Sequence, residues 1–355
     1  MTSKLRIGVV DQAPIHDGKP PAQGPIDSLN LAKACESFGY SRYWIAEHHS
    51  TPGYSSPCPE ILIGQIAAET RRIRVGSGGV MLTHYSPFKV AETFRMLHTF
   101  HPGRIDLGVG RAPGGDQGAT MALSFPRQPV DPQAYPRQVY DMIGHLHNDL
   151  PEGHPFRQVR TVPEGPEAPE VWMLGSSGGS AEVAGQLGSG FVLALFIGTH
   201  DRSPAILETY RKAFQPSPAW REPHAMVAVA AICAETEAEA LRIAHTRSVW
   251  IHKALDQGVI VPLPSPDEAL DQIAQMSDAE RTRYQKVLDN TVIGTPRQCR
   301  EQIEQIAADY AVDEVLAVAV TYHYQDRLNS YRLLAEAFEL GGSDVEEPRS
   351  AAAGG

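Results

Sequence analysis

The chain has 355 residues, 42% hydrophobic and 21% charged, a composition typical of a globular protein with a core of ample size. Its formal net charge is −11 and it has no basic cluster, so we expect neither nucleic acid nor an anionic membrane as a partner. Four widely spaced cysteines, in no metal-like or redox-like pattern, predict reduced thiols in a cytoplasmic protein. We expect no signal peptide and no membrane span.

Short apolar runs alternate with amphipathic segments along most of the chain. The apolar runs predict eight strands, at residues 5–10, 42–46, 73–82, 104–110, 171–174, 191–196, 225–233 and 314–320. The amphipathic segments predict helices at residues 27–38, 59–69, 87–100, 132–147, 180–187, 204–214 and 296–308. This alternation predicts an α/β fold closed as a (β/α)8 TIM barrel, with an open doubly wound sheet as the alternative. Almost wholly apolar strands, with polar motifs at several strand ends, favour the barrel.

Two connecting stretches are longer than a minimal (β/α)8 barrel requires. Residues 112–131 predict a long loop rich in glycine and proline, and residues 235–290 predict a mostly helical insertion. Such insertions at the C-terminal face are either lids and substrate walls or peripheral decoration, and the sequence leaves both open. We predict one barrel domain over residues 1–340 and a disordered tail over residues 341–355, which lack apolar periodicity.

A carboxylate and two histidines follow the second predicted strand, in the run Ala46-Glu47-His48-His49. Imidazole is the side chain best suited to hold or pass a proton near neutral pH, and burying it is costly unless both ring nitrogens find partners. The run therefore indicates a catalytic site, with capping or surface histidines as the alternative.

The third predicted strand contains three glycines, two of which, Gly78 and Gly79, are adjacent. Glycine weakens a strand, so its presence calls for a reason. Two residues without β-carbons would allow a flat ligand to lie directly on the backbone. The alternative is a bulge that gives the barrel its curvature.

The fourth predicted strand ends in Gly110-Arg111. A guanidinium group at a strand end suits a phosphate or a carboxylate, because its N–H groups form a fork that matches both. The alternative is a salt bridge on the barrel rim.

A turn rich in serine and glycine joins the fifth strand to the next helix, and its candidate anion-binding residues are Ser176, Ser177, Gly179 and Ser180. A helix N-terminus offers unpaired N–H groups and the positive end of the helix dipole, so we expect it to bind an anion. Ser180 is also a candidate N-cap, which is compatible with anion binding. A phosphate site beside a glycine platform predicts a flat phosphorylated cofactor. The dinucleotide fingerprint is absent after the first strand, which favours FMN over NAD or FAD.

The chain resembles the bacterial luciferase-like flavin-dependent monooxygenases from residue 5 to about residue 340, and within that family an uncharacterised bacterial subgroup. Five motifs carry the resemblance: residues 46–49, residues 75–82 with Ser86-Pro87 and Ala91-Glu92, residues 102–111, residues 174–180, and Gly294-Thr295-Pro296. The light-emitting members have a reactive cysteine where this chain has Gly110, so light emission and aldehyde oxidation are not expected.

The resemblance implies that His48 is the catalytic histidine and Glu47 its neighbouring carboxylate. It also implies that Gly78 and Gly79 form a non-prolyl cis peptide under the flavin ring. Arg111 and the serine turn would then bind the FMN phosphate.

The activity that the resemblance implies is that of a two-component monooxygenase. A separate reductase would supply reduced FMN, and O2 would oxygenate a small organic substrate through a flavin peroxide. The alternatives are a deazaflavin-dependent oxidoreductase and a non-catalytic flavin-binding protein. The resemblance also implies a homodimer, which we expect to form through the helices predicted at residues 59–69 and 87–100.

Overall fold

The computed structural model describes residues 4–16, 18–111, 113–197, 202–258 and 261–342. Its strands are β1 (Arg6–Asp11), β2 (Arg42–Ile45), β3 (Arg74–Ser77), β4 (Val80–Met81), β5 (Ile105–Gly110), β6 (Glu170–Gly175), β7 (Gly190–Ala194), β8 (Ala225–Cys233), β9 (Thr291–Gly294) and β10 (Glu314–Val318). Its helices are α1 (Gln23–Phe38), α2 (Pro59–Glu69), α3 (Pro87–Phe100), α4 (Gln117–Ser124), α5 (Tyr135–Leu146), α6 (Gly178–Gln186), α7 (Ala205–Ala213), α8 (Glu237–Gln257), α9 (Pro266–Ala274), α10 (Asp278–Asp289), α11 (Pro296–Tyr310) and α12 (Tyr324–Ala337). None of the helices in these ranges is both long and apolar enough to cross a membrane.

The strands close into a parallel barrel. The sheet runs β10-β1-β2-β3-β5-β6-β7-β8, and β8 pairs in turn with β10, with β4 continuing the line of β3 alongside β5. Counting β3 and β4 as one interrupted strand, the barrel has eight strands separated by helices. The predicted (β/α)8 barrel is thereby confirmed, and the open sheet is excluded by the pairing of β8 with β10.

Some elements differ from the prediction. The strand predicted over residues 73–82 is divided at Gly78 and Gly79 into β3 and β4. The loop predicted over residues 112–131 contains α4, which begins where the Asp116 side chain accepts a hydrogen bond from the Ala119 N–H at 2.7 Å. Strand β9 and helix α12 were not predicted. The predicted tail begins inside a short 3-10 helix, Leu340–Gly342, and its residues 343–355 lie outside the described residues.

Alternate residues of the strands pack into two layers. In β2, Tyr43 and Ile45 pack in the large apolar cluster that the strands share with the surrounding helices. Trp44, between them, belongs to a second cluster, in which its ring lies 5.8 Å from that of Trp172. Because successive strand residues point to opposite faces, the second cluster fills the barrel interior.

Five charged side chains lie together near the N-terminal ends of the strands. Arg42 donates to Asp106 Oδ2 at 2.9 Å and to Glu314 Oε1 at 2.8 Å, and Arg74 pairs with Asp106 and, at 3.0 Å, with Glu170. Burial alone would raise the pKa of Asp106, but Arg74 and Arg42 outweigh burial and hold that pKa below its usual value. We call these five residues the basal charge cluster, and it closes the end of the barrel opposite the strand carboxyl ends.

We predict that Arg42→Met lowers the free energy of unfolding by about 3–5 kcal/mol, because it leaves Asp106 and Glu314 buried with less positive charge beside them. Urea unfolding followed by circular dichroism at pH 7 measures the loss. The control is Arg297→Met, which breaks an exposed ion pair with Glu301 on α11 and is expected to cost less than about 1 kcal/mol. Equal losses in the two variants would contradict a stabilising role for the basal charge cluster.

Candidate active site

A cavity of about 740 Å³ lies at the carboxyl ends of the strands. Residues after β1, β2, β5, β6 and β7 and the break between β3 and β4 contribute to its wall, and one side is formed by α8. Eight of the nine residues predicted from the sequence line it: His48, Gly78, Gly79, Arg111, Ser176, Ser177, Gly179 and Ser180. The barrel therefore brings four separate motifs to one space, as its parallel strands require.

His48 presents a half-buried imidazole to the cavity. Its backbone N–H donates to the Ser56 carbonyl at 3.1 Å, and its ring lies 4.2 Å from the ring of Tyr54. Its Nδ1 is buried without a hydrogen-bond partner among the described residues. Burial, with a smaller contribution from His49, lowers the pKa of His48 to about 4. At neutral pH the ring is therefore uncharged, and no hydrogen bond within the described residues fixes which ring nitrogen carries the proton.

Glu47, the ninth predicted residue, points away from the cavity and is 1% exposed. One carboxylate oxygen shares a 2.7 Å hydrogen bond with His49 Nε2 and accepts another from the Tyr85 hydroxyl at 2.8 Å. The other oxygen accepts the Met81 N–H at 2.9 Å. Glu47 therefore joins the end of β2 to the chain that follows Gly79, and it holds the cavity wall from behind.

The peptide bond between Gly78 and Gly79 is cis, and both residues line the cavity. A β-carbon on Gly78 would lie 3.1 Å from Trp44 Cβ, and one on Gly79 would lie 2.9 Å from the Gly108 carbonyl oxygen. Both positions face the barrel wall, so these glycines are needed for close packing against β2 and β5. Their backbone faces the cavity, and the expectation that a flat ligand lies on it stays a prediction.

The serine turn forms the N-terminus of α6. Ser177, and not Ser180, is the N-cap: its hydroxyl accepts the Ser180 N–H at 3.4 Å, and the Ser180 hydroxyl lies 3.3 Å from the Ser177 N–H in a capping box. A β-carbon on Gly178 or Gly179 would meet no atom within 4 Å. Open space thus faces the first helical turn, where the cap takes the Ser180 N–H while the N–H groups of Gly178 and Gly179 have no acceptor within the helix.

Arg111 is exposed directly after β5 and has no ion pair within the described ranges. The rim salt bridge considered from the sequence is therefore not observed there. Tyr135, at the start of α5, also lines the cavity, and its buried hydroxyl has no hydrogen-bond partner among the described residues. The Arg111 charge acts on Tyr135, although burial dominates and raises the pKa of that hydroxyl. Together these groups offer donors to an anion.

Sequence reasoning missed several residues that line the cavity: Gln12, Tyr54, Tyr135, Arg247 and Trp250. The Tyr54 hydroxyl donates to Gln12 Oε1 at 3.1 Å, and its ring meets that of Trp250 edge-on at 5.0 Å. None of them belongs to a recognisable motif, so no local signal identified them. Arg247 and Trp250 lie on α8, and the first helix of the predicted insertion is therefore a wall of the cavity.

Comparisons with known proteins agree with this geometry. Residues 5–314 match the family model described as luciferase-like monooxygenase. The chain is 38% identical over 334 residues to the uncharacterized protein YwcH of Bacillus subtilis (strain 168), covering 94% of this chain and 99% of that protein. It is 36% identical over 340 residues to a luciferase-like monooxygenase of Escherichia coli (strain K12), covering 96% and 99% of the two chains. The crystal structure of apo-MsnO8 shares 39% identity and a TM-score of 0.84, covering 95% of this chain and 99% of that one. The predicted resemblance is confirmed, and the chain belongs to the luciferase-like monooxygenase family.

Proposed function

We propose that this protein is an FMN-dependent two-component monooxygenase. It takes reduced FMN from a separate flavin reductase and uses O2 to oxygenate a small organic substrate. The observation that carries the proposal is one cavity with cationic and helix N-terminal groups at one end, at Arg111 and α6, and the neutral ring of His48 in its wall. The predicted cytoplasmic location is part of this proposal, because the reductase has to share the compartment.

The residues present fit FMN. A volume of about 740 Å³ lies within the range of about 300–1,000 Å³ that is usual for ligand sites. The open space before Gly178 and Gly179, with Arg111 and the Tyr135 hydroxyl nearby, suits the phosphate. The backbone of Gly78 and Gly79 offers a surface for the ring. When bound, reduced FMN supplies two electrons to O2, so that one oxygen atom enters the substrate and the other leaves as water.

The protein's own groups orient and shield this chemistry. The neutral His48 ring holds or accepts a proton at the nitrogen that faces the cavity, and its contact with Tyr54 sets its orientation. Trp250 and Ile251 on α8 cover the cavity with apolar surface that excludes water. Glu47 is a positioning residue, since it holds the chain after Gly79 and does not line the cavity.

Oxygen consumption tests the proposal as a whole. The purified protein, mixed with FMN, a flavin reductase and NADH, is expected to form an oxygenated product from a substrate screen, and the product is expected to carry label from 18O2. Turnover with a reduced deazaflavin and without O2 would instead identify a deazaflavin-dependent oxidoreductase. FMN binding without any turnover across the screen would favour a non-catalytic flavin-binding protein.

We predict that Arg111→Ala weakens FMN binding by about ten- to a hundredfold, because a charge-assisted contact is worth roughly 1.5–3 kcal/mol. Titration of FMN fluorescence with the wild type and the variant measures the two dissociation constants. Arg127→Ala, which removes an exposed arginine outside the cavity wall, serves as the control. An unchanged FMN dissociation constant in Arg111→Ala would show that this arginine does not bind the phosphate.

We predict that His48→Ala keeps the fold and FMN affinity but lowers product formation by about 10²–10⁴-fold, with hydrogen peroxide released instead. The assay compares product with hydrogen peroxide at a fixed supply of reduced FMN. The control is His224→Gln, which changes an exposed histidine just before β8, at the opposite end of the barrel. Because the pKa of His48 is about 4, wild-type product formation is expected to depend on its protonation only as the pH approaches 4, and not near 6.5. Normal coupled turnover in His48→Ala would make His48 a bystander.

We also propose a homodimer formed through α2 and α3. These helices expose large apolar side chains: Ile61 and Phe100 are each 71% exposed, and Met96 is 50% exposed. Large apolar side chains exposed on neighbouring helices are typical of an interface between subunits.

We predict that the double variant Ile61→Glu/Phe100→Glu is monomeric at micromolar concentration, whereas the wild type sediments as a dimer. The charges would have to be buried in the proposed interface without partners. Leu270→Glu, on the exposed face of α9, is the control and is expected to remain dimeric. A monomeric wild type in sedimentation equilibrium would refute the dimer.

A further inference from the structure

Arg247 is a buried cation in the cavity wall. It lies on α8, is 2% exposed, and has no ion pair within the part of the chain that the structure describes. Its Nη2 donates to the Phe196 carbonyl at 3.0 Å, and its buried Nε has no partner among the described residues. Most of the guanidinium N–H groups therefore have no acceptor among the residues that the structure describes.

Burying a charge without a partner costs free energy. Arginine cannot avoid this cost by becoming neutral, because it stays protonated in proteins. Burial lowers the pKa of Arg247, and the Tyr54 hydroxyl is the group that acts against this effect. Among the other buried arginines, Arg42 and Arg327 pair directly with carboxylates. Arg95 has no ion pair within the described residues, but its Nε, Nη1 and Nη2 all donate to backbone carbonyls, so its guanidinium is satisfied where that of Arg247 is not. The arrangement at Arg247 is thus one that an anion in the cavity would complete.

The anion that fits is distinct from the cofactor phosphate. The phosphate end of the cavity has its own cation, Arg111 after β5, and its own helix N-terminus after β6. Arg247 comes instead from the insertion helix, and its polar neighbours are Tyr54 and the Phe196 carbonyl. Beside it on the same helix, the apolar side chains of Trp250, Ile251 and Ala254 line the cavity.

We infer that Arg247 binds the carboxylate of the substrate, so that the protein acts on organic acids whose apolar part packs against Trp250 and Ile251. The unused N–H groups of the guanidinium form an edge that matches the two oxygens of a carboxylate. The inference rests on the proposed function, because it names the substrate class of that same cavity. It makes Arg247 a specificity-determining residue, outside the flavin chemistry.

The test compares two probes that differ in charge and hardly in shape, 3-phenylpropanoate and 3-phenylpropanamide. Binding to the flavin-free protein is followed by tryptophan fluorescence, since Trp250 lines the cavity, and by calorimetry. We expect the wild type to bind the acid about ten- to a hundredfold more tightly than the amide, and Arg247→Gln to bind the two equally. Arg247→Lys keeps the charge and is expected to retain part of the preference. Arg297→Gln, an exposed arginine on α11, is the control and is expected to keep all of it.

Three results would overturn the inference. Equal binding of the acid and the amide by the wild type would overturn the inference. This result needs no variant, so the inference can be tested even if a variant fails to fold. An acid preference that survives Arg247→Gln would place the anion elsewhere. A loss of FMN affinity in Arg247→Gln, with the acid preference unchanged, would make Arg247 a flavin ligand. These assays need no flavin turnover, so loss of the acid preference in Arg247→Gln supports the inference even if the monooxygenase proposal fails.

Discussion

The Arg42 guanidinium connects three strands of the barrel at its N-terminal end. The barrel is closed at that end, so the cavity lies at the opposite end. Arg42 reaches Asp106 on β5 and Glu314 on β10 from β2, so strands far apart in sequence are held by one buried ion-pair network. Above it, Trp44 and Trp172 fill the barrel interior. The open cavity consequently lies at the carboxyl ends of the strands, where turns are free to carry polar groups.

Two sources contribute to the cavity, and their chemistry differs. The turns after β5 and β6 supply a cation and a helix N-terminus, and the segment after β2 supplies a neutral histidine. Helix α8 supplies a buried cation next to apolar surface. The two sources differ in their constraints, because the barrel fixes the positions of the strand ends while an insertion is free of that requirement.

Much of the fold could be predicted from local patterns. Helices α2 and α3 were predicted to the residue, because each has proline in its first turn, which marks where a helix begins. Strand β9 was not predicted, because four residues between an insertion and a helix carry too short a pattern to recognise. The division of β3 from β4 was not predicted either. At this break the Ser77 hydroxyl donates to the Gly108 carbonyl of β5 and accepts the Gly108 N–H. These side-chain hydrogen bonds take the place of strand pairing, and they depend on a neighbouring strand that the local sequence does not show.

The sequence by itself determined the barrel and nearly all of the motif residues that line its cavity, because strand periodicity and motif order are local properties of the chain. Tertiary structure alone decided which way individual groups face. It turned the Glu47 carboxylate toward Tyr85 and Met81 and directed the β-carbon positions of Gly78 and Gly79 into the wall. It also places Arg247, which lies on an insertion far away in sequence from the other cavity residues, in the cavity wall. The physical reason is that a side chain's direction and burial depend on contacts with residues far away in sequence, which no local pattern contains.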